Sequence, residues 1–525
     1  MKATPQQLDL YRWIDSGSGH GLLTSVAGSG KTTSIIECLN FIDDEDQVIL
    51  CSFTKLIAGE LANRVKERNF INVNSTTLNS LGWGLCRENI PNVKLDQFKT
   101  DNILKYHLSS TPLERWFQEK VYSVVKGSLK RVVGLLKSYV VRNNTSDWID
   151  RILKDFDIEL PDGSSDQADY ARENFKKLVD KVYWTSVEFT QECDFDDQKM
   201  MPCYYGWKGK APAWIIVDEC QDVNFCDIKL IESFLGIYKN QPTRLLFVGD
   251  PNQSIYGFRG SLPDACDQIK EKFNCKELKL TICFRCPDKV LELAKEIVPI
   301  IEGPTPNPRG DGIVEWIDTS EFKAGPKSPQ VGDYVICRTT APLVKRCLEF
   351  VRKGIPALVK GKDLGRSLLQ LMDIIIKELE KSGIFEDPLN MDYLRRFIKE
   401  LGLYKSQLVQ NYSAAGRDEA AIAISDRCEA LESFCLDSKL LAEVAGKIDS
   451  LFQDNVSEND VILFLSGHRC KGLQQKRIYF LRSDLCPHSK AKSKTALIQE
   501  KNLKYVIITR SESELYFVQK EDDEK

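Results

Sequence analysis

The run Ala27-Gly28-Ser29-Gly30-Lys31-Thr32-Thr33 follows a short apolar stretch at 22–26 and precedes a helical pattern. Glycines in such a turn let backbone N–H groups converge on phosphate oxygens, and a helix N-terminus adds the positive end of its dipole. At this spacing Lys31 would reach the β- and γ-phosphates of a nucleotide, and Thr32 would ligate Mg²⁺. The full pattern asks for Gly six residues before the Lys, where this chain has Ser25. A second cluster, Asp218-Glu219-Cys220-Gln221-Asp222, ends an apolar run at 214–217. Carboxylates just past the C-terminal end of a parallel strand face the crevice where such sheets bind ligands. Asp218 is thereby placed for the Mg²⁺ shell, and Glu219 to orient and deprotonate an attacking water. No Asn-Lys-x-Asp guanine-reading string occurs. Gln7, whose amide both donates and accepts, is a candidate for an adenine edge.

Two further patterns carry chemistry. Lys120, Lys126, Lys130, Arg131, Lys137 and Arg142 form a stretch with no acid between 120 and 146. Lys126, Lys130 and Lys137 share a helical face that would track phosphates or simply meet solvent. Cys283-Phe284-Arg285-Cys286 has the spacing of a redox or metal pair, but no second pair lies nearby.

The run Gly249-Asp250-Pro251-Asn252-Gln253-Ser254-Ile255-Tyr256-Gly257-Phe258-Arg259-Gly260 resembles motif III of the UvrD/Rep-type superfamily 1 helicases. Other motifs follow in the family's order. Thr4-Pro5-Gln6-Gln7 is similar to the Q motif, Phe53-Thr54-Lys55 to motif Ia, and Thr77-Leu78-Asn79-Ser80-Leu81-Gly82 to the Thr-x-His-Ser element. Phe284-Arg285 resembles motif IV, and Arg338-Thr339-Thr340 the Arg-Thr-Asn element. His468-Arg469-Cys470-Lys471-Gly472-Leu473 resembles motif V, and the stretch 499–510 motif VI.

The resemblance implies an ATP- and Mg²⁺-dependent translocase on single-stranded DNA that unwinds tailed duplexes in the 3′-to-5′ direction. It implies arginine fingers at Arg285 and Arg510, a γ-phosphate sensor at Gln253, and nucleotide contacts at Phe284 and Gln474 besides the phosphate loop. It also implies DNA contacts at Phe53, Thr77, Tyr256, Phe258, Arg259, His468 and His488, where bases stack on aromatic rings irrespective of sequence. Asn79 stands where the family has His, Cys220 for Ala, Cys283 for Asn, and Gln474 for a ribose-contacting Glu. A protein-stripping DNA-stimulated ATPase without net unwinding, an RNA helicase and a slow nucleotide switch remain as alternatives.

Positioning these residues requires parallel strands. Apolar runs at 22–26, 48–53, 214–217 and 244–248 predict one α/β set; 334–337, 461–465, 478–481, 505–509 and 515–518 predict a second. Stretches at about 89–204 and 362–455 read as helical, with a loop at 160–165 and helical runs at 129–141, 367–379, 391–401 and 418–434. The expected architecture is two RecA-like P-loop α/β domains with parallel sheets, 1–88 with 205–278 and 279–361 with 456–525. Each carries a helical insertion, at 89–204 and 362–455.

The 525 residues carry 72 Lys and Arg against 76 Asp and Glu, a net charge of −4, so nothing in the overall charge marks nucleic-acid binding. Seventeen cysteines are too sparse for a disulfide-stapled scaffold, and the N-terminus lacks an apolar signal core. No apolar run has the roughly 20 residues of a membrane span. An intracellular, cytoplasmic protein without a membrane partner is expected.

Overall fold

The computed structural model describes residues 3–110, 126–156, 158, 165–255, 257, 260, 262, 264–385, 390–414, 418–454, 457–488, 491 and 494–519, with backbone only at 165–168, 418–419 and 494–495. Tyr256, Phe258, Arg259, Lys120, most of the expected loop at 160–165 and the charged tail 520–525 lie outside the described residues. The chain divides into two compact units. One comprises Met1–Ser25 with Gly30–Leu280; the other comprises Val26–Ser29 with Thr281–Lys525.

The first unit is built on a six-stranded sheet of β1 (Gly21–Ser25), β2 (Val48–Ser52), β3 (Val73–Thr77), β4 (Trp214–Val217), β5 (Arg244–Gly249) and β6 (Lys276–Leu280). Its order is β6-β1-β5-β4-β2-β3, and every pairing is parallel. Successive residues of the inner strands enter different cores. Leu23, Ile216 and Leu246 pack with Leu10 and Trp13 on one face, while Leu22, Ile215 and Leu245 pack with Ile228 and Ile269 on the other. That two-sided burial is why these strands read as unbroken apolar runs. The first helix, Pro5–Ser16, begins at a capping box between Thr4 and Gln7 with Pro5 in its first turn. Thr54 and Thr77 cap the helices Lys55–Glu67 and Leu78–Asn89 by accepting the N–H groups of Ile57 and Ser80.

Helices Lys99–Ser110, Lys126–Ser138, Thr145–Asp155, Ser165–Glu188 and Asp197–Tyr205 gather around a separate apolar core that includes Leu129, Leu136, Phe175 and Tyr183. The basic face expected here is not a phosphate track as drawn from the spacing. Lys137 is 1% exposed and pairs with Asp194 at 2.6 Å and Asp197 at 2.8 Å, while Lys126 and Lys130 both pair with Asp101. The acids that neutralise this helix come from elsewhere in the chain, so counting charges along one helix misses them.

The second unit holds β7 (Ile313–Ile317), β8 (Tyr334–Cys337), β9 (Ala357–Lys360), β10 (Phe452–Gln453), β11 (Ile462–Ser466), β12 (Gln475–Leu481) and β13 (Ser511–Val518). They pair in the order β7-β13-β12-β8-β11-β9-β10, again all parallel. Helices Lys362–Lys381, Met391–Ala414, Asp418–Leu436 and Leu441–Leu451 share one apolar core with this sheet, Leu368, Phe397, Leu431 and Ile448 packing into the cluster that holds Val335 and Phe464. Asp426 secures the junction by accepting the backbone N–H groups of Thr340 and Ala341.

The expected strand at 505–509 is instead the end of the helix Lys494–Ile508. Tyr505, Val506, Ile507 and Ile508 are at most 1% exposed, so the helix end has no polar face to reveal its period. β3, β6, β7 and β9 were not anticipated. β3 contains Asn, Ser and Thr, and β6 and β7 carry charged residues, which disguises strands near a sheet margin.

Candidate nucleotide site and its surroundings

In the first unit, three strand ends converge. β1 runs toward the phosphate loop, β4 into Asp218–Glu219, and β5 into Asp250. Ser25, where the motif asks for Gly, donates its hydroxyl to the Gly249 carbonyl at 3.0 Å, tying the ends of β1 and β5. Gly30 takes a left-handed φ of 80° immediately before the helix Lys31–Cys38, which lets the chain turn sharply into that helix.

Lys31 Nζ lies 2.8 Å from Glu219 Oε1. Burial alone would lower the Lys31 pKa, but the Glu219, Asp218 and Asp250 carboxylates outweigh it and hold the ammonium above its ordinary range. Glu219 itself has φ 56° and ψ 41°, a left-handed backbone rarely adopted by a residue with a side chain. Its N–H donates to Asp218 Oδ1 at 2.9 Å, and its Oε2 accepts from Gln221 Nε2. Thr32 is half-buried and Thr33 exposed on the first turn after the loop.

Gln253, the expected phosphate sensor, is buried and donates Nε2 to Asp250 Oδ2 at 2.7 Å. Asp250 is fully buried and its pKa is raised, burial outweighing the nearby Lys31 charge. Gln7, expected at an adenine edge, accepts the Thr4 N–H through Oε1 and donates Nε2 to Ser34 Oγ at 3.0 Å. Its amide thus completes the first helix cap and joins the first helix to the one that follows the phosphate loop. Thr77 likewise accepts the Ser80 N–H at 3.1 Å as a helix cap. Asn79 donates to the Phe195 carbonyl and to Gln198 Oε1, and Phe53 is half-buried at the end of β2.

Within the second unit, Gly28 has φ 67° and no room for a side chain: a Cβ there would lie 2.6 Å from Arg285 Cβ and 2.9 Å from Cys283 Sγ. The Gly28 carbonyl accepts the Phe284 N–H at 2.9 Å. Ala27 N–H donates to Tyr505 Oη at 2.9 Å, a partner that sequence reasoning missed because Tyr505 was assigned to a strand. Ser29 Oγ is buried without a hydrogen-bond partner. An orphaned hydroxyl between two left-handed glycines is a fitting cradle for phosphate oxygens.

Arg285 donates to the Thr509 carbonyl at 3.1 Å, and its Nε is buried without a partner. Arg510 is 1% exposed and donates to the carbonyls of Val506 and Leu473 at 2.8 and 3.1 Å. Burial first, and Arg285 second, lower its pKa to about 10, so it stays cationic at neutral pH. Phe284 is half-buried and Gln474 exposed. Cys283 and Cys286 are buried free thiols, and among the described residues no cluster of three or more His, Cys, Asp or Glu side chains is arranged to hold a metal ion.

Glu500, in the stretch similar to motif VI, organises two other expected contacts. Its carboxylate pairs with Arg338 at 2.7 Å and accepts the His488 N–H at 3.0 Å. His468 is half-buried in the turn after β11.

The paired parallel sheets, the glycine-bearing loop and the carboxylates at the strand ends define a P-loop α/β protein with RecA-like domains. The model of the UvrD/REP helicase N-terminal domain matches residues 9–274, and the chain belongs to that family. It is similar to ATP-dependent DNA helicase Rep of Buchnera aphidicola from Schizaphis graminum, 26% identical over 305 residues, covering 54% of this chain and 43% of that protein. A probable DNA helicase II homolog of Mycoplasma pneumoniae is 25% identical over 314 residues, covering 55% and 41%. F-box DNA helicase protein 1 of Schizosaccharomyces pombe is 22% identical over 521 residues, covering 93% of this chain and 54% of that protein. The chain thus spans about half the length, or less, of these relatives. Among the described residues no helix is long and apolar enough to cross a membrane.

Proposed function

We propose that the protein is an ATP-dependent DNA helicase that hydrolyses ATP to move along single-stranded DNA, in the 3′-to-5′ direction, and to open duplexes bearing a single-stranded tail. The observation that carries this reading is the Lys31–Glu219 pair at 2.8 Å, set between the ends of β1 and β4 with Asp218 alongside. A phosphate-binding ammonium and a carboxylate fit to orient water stand together on a parallel sheet, as hydrolysis of a terminal phosphate requires. Family membership and relatives named as DNA helicases support the nucleic-acid half of the reading.

In this reading Ala27, Gly28, Ser29, Gly30, Lys31, Thr32 and Thr33 hold the phosphates, and Thr32 and Asp218 hold Mg²⁺. Magnesium suits one hydroxyl and one carboxylate because it keeps several waters and shares the phosphate oxygens. Glu219 takes the proton of the attacking water. Arg285 and Arg510 offset charge on the γ-phosphoryl group, and Gln253 reports its presence. Gln7, Phe284 and Gln474 contact the nucleoside, a role assigned on the resemblance. Phe53, Thr77, Tyr256, Phe258, Arg259, His468 and His488 meet the strand on the same ground. The segments 1–88 with 205–278 and 279–361 with 456–525 act as the two motor domains, with 89–204 and 362–455 as their insertions, in an intracellular setting.

The test measures ATP turnover with and without single-stranded DNA or RNA, together with displacement from 3′- and 5′-tailed duplexes. DNA-stimulated turnover with displacement only from 3′-tailed substrates is expected. Turnover without displacement identifies a remodelling ATPase, and preference for RNA identifies an RNA helicase.

A further inference from the structure

Gln221 lies next to the acidic pair but has been assigned no function. It is 1% exposed, and its amide is used at both ends. Nε2 donates to Glu219 Oε2, and Oε1 accepts the Asp250 N–H at 3.0 Å. Asp250 in turn accepts Gln253 Nε2 at 2.7 Å and the Asn252 N–H at 3.0 Å. The close approach depends on Gly249, where a Cβ would stand 2.4 Å from Gln221 Oε1. A continuous run of hydrogen bonds therefore links Lys31, Glu219, Gln221, Asp250 and Gln253 across the ends of β4 and β5.

We infer that Gln221 is a positioning residue for hydrolysis: its amide fixes the Glu219 carboxylate and ties that carboxylate to Gln253. The inference rests on the proposed role of Glu219 as the group that takes the water's proton. A donor aimed at one carboxylate oxygen restricts rotation about the last side-chain bond. Tying the same amide to the Asp250 backbone makes the angle of Glu219 depend on the segment that carries Gln253. A side chain serving only to fill space would need neither contact.

The experiment compares the full chain with Gln221→Met and Gln221→Glu, recording kcat and KM for ATP, with Glu219→Gln and Gln253→Ala in parallel. Gln221→Met removes the donor and is expected to lower kcat about tenfold or more, leaving KM within about twofold. Gln221→Glu, which replaces the donor with a like charge at nearly unchanged shape, is expected to lower kcat further. In the double variant with Gln253→Ala, the loss is expected to be smaller than the product of the two single losses.

Unchanged kcat in the Gln221 variants, with Glu219→Gln inactive, overturns the inference while leaving the proposed function intact. Single losses that multiply in the double variant with Gln253→Ala, beside a lowered unfolding temperature, also overturn it, since Gln221 then only supports the fold. Retained turnover in Glu219→Gln refutes the assigned base itself, and the positioning role falls with it.

Discussion

At the scale of single residues, the side chains that sequence spacing singles out take their partners from distant segments. Lys31 and Glu219 were each evident from a local motif, but their separation of 188 positions conceals the ion pair that joins them. Gln221, Asp250 and Tyr505 were not evident as partners, because hydrogen bonds between strand ends have no local signature. Lys31→Ala is expected to abolish ATP turnover, as measured by phosphate release, since no other ammonium enters the described cluster around Glu219. Glu219→Gln should retain nucleotide binding, measured by fluorescent-nucleotide titration, while turnover falls about 10²–10⁴-fold. The two arginines should separate. Arg510→Ala strips donors from one buried and one half-buried carbonyl and should cost about 1–3 kcal/mol in chemical unfolding besides turnover, whereas Arg285→Ala should cost less stability for a similar loss of activity.

At the scale of elements, periodicity revealed the strands buried on both faces and failed where burial or polarity removed the pattern. The runs at 214–217 and 334–337 emerged with their expected bounds because each is apolar throughout and closed by polar residues. The run at 505–509 misled because β-branched residues buried on all sides of a helix look like a strand, and the true strand β13 begins at Ser511. The insertion's buried ions were likewise invisible in the one-dimensional charge pattern. Lys137→Ala leaves Asp194 and Asp197 without their shared cation and should destabilise this element by about 3–5 kcal/mol, read from denaturant unfolding.

The same network sets an acid sensitivity. Burial would raise the Asp194 carboxyl, but Lys137 and several hydrogen bonds overcome it and hold it at about 2. A carboxyl depressed in the folded state supplies stability above its unfolded value near pH 4, and that stability is lost as pH falls toward about 2. The contribution is of order 2 kcal/mol. Tryptophan fluorescence from Trp148 and Trp184 should follow the loss across that window, and Asp194→Asn should flatten it.

At the scale of the whole molecule, each of the two units carries a parallel sheet, and each holds residues to which the proposed function gives a role at the nucleotide. Order along the chain alternates motif-bearing segments with long helical stretches. It did not foretell that the helices of the second stretch would share the core of the neighbouring sheet, while those of the first enclose a core of their own. That contrast predicts different tolerance to change: Phe397→Ala should lower the stability of the second sheet's unit by about 3–5 kcal/mol, read by hydrogen exchange across β8 and β11.

In the proposed function, ATP hydrolysis at Lys31 and Glu219 answers to a nucleic-acid strand. Its most direct measurement is the ATP turnover rate of the full chain as single-stranded DNA is added. A saturable rise is expected that vanishes in Glu219→Gln and is lost, with basal turnover spared, in the combined Tyr256→Ala and Phe258→Ala variant. A turnover rate indifferent to added strands, or a rise that survives in Glu219→Gln, would contradict it.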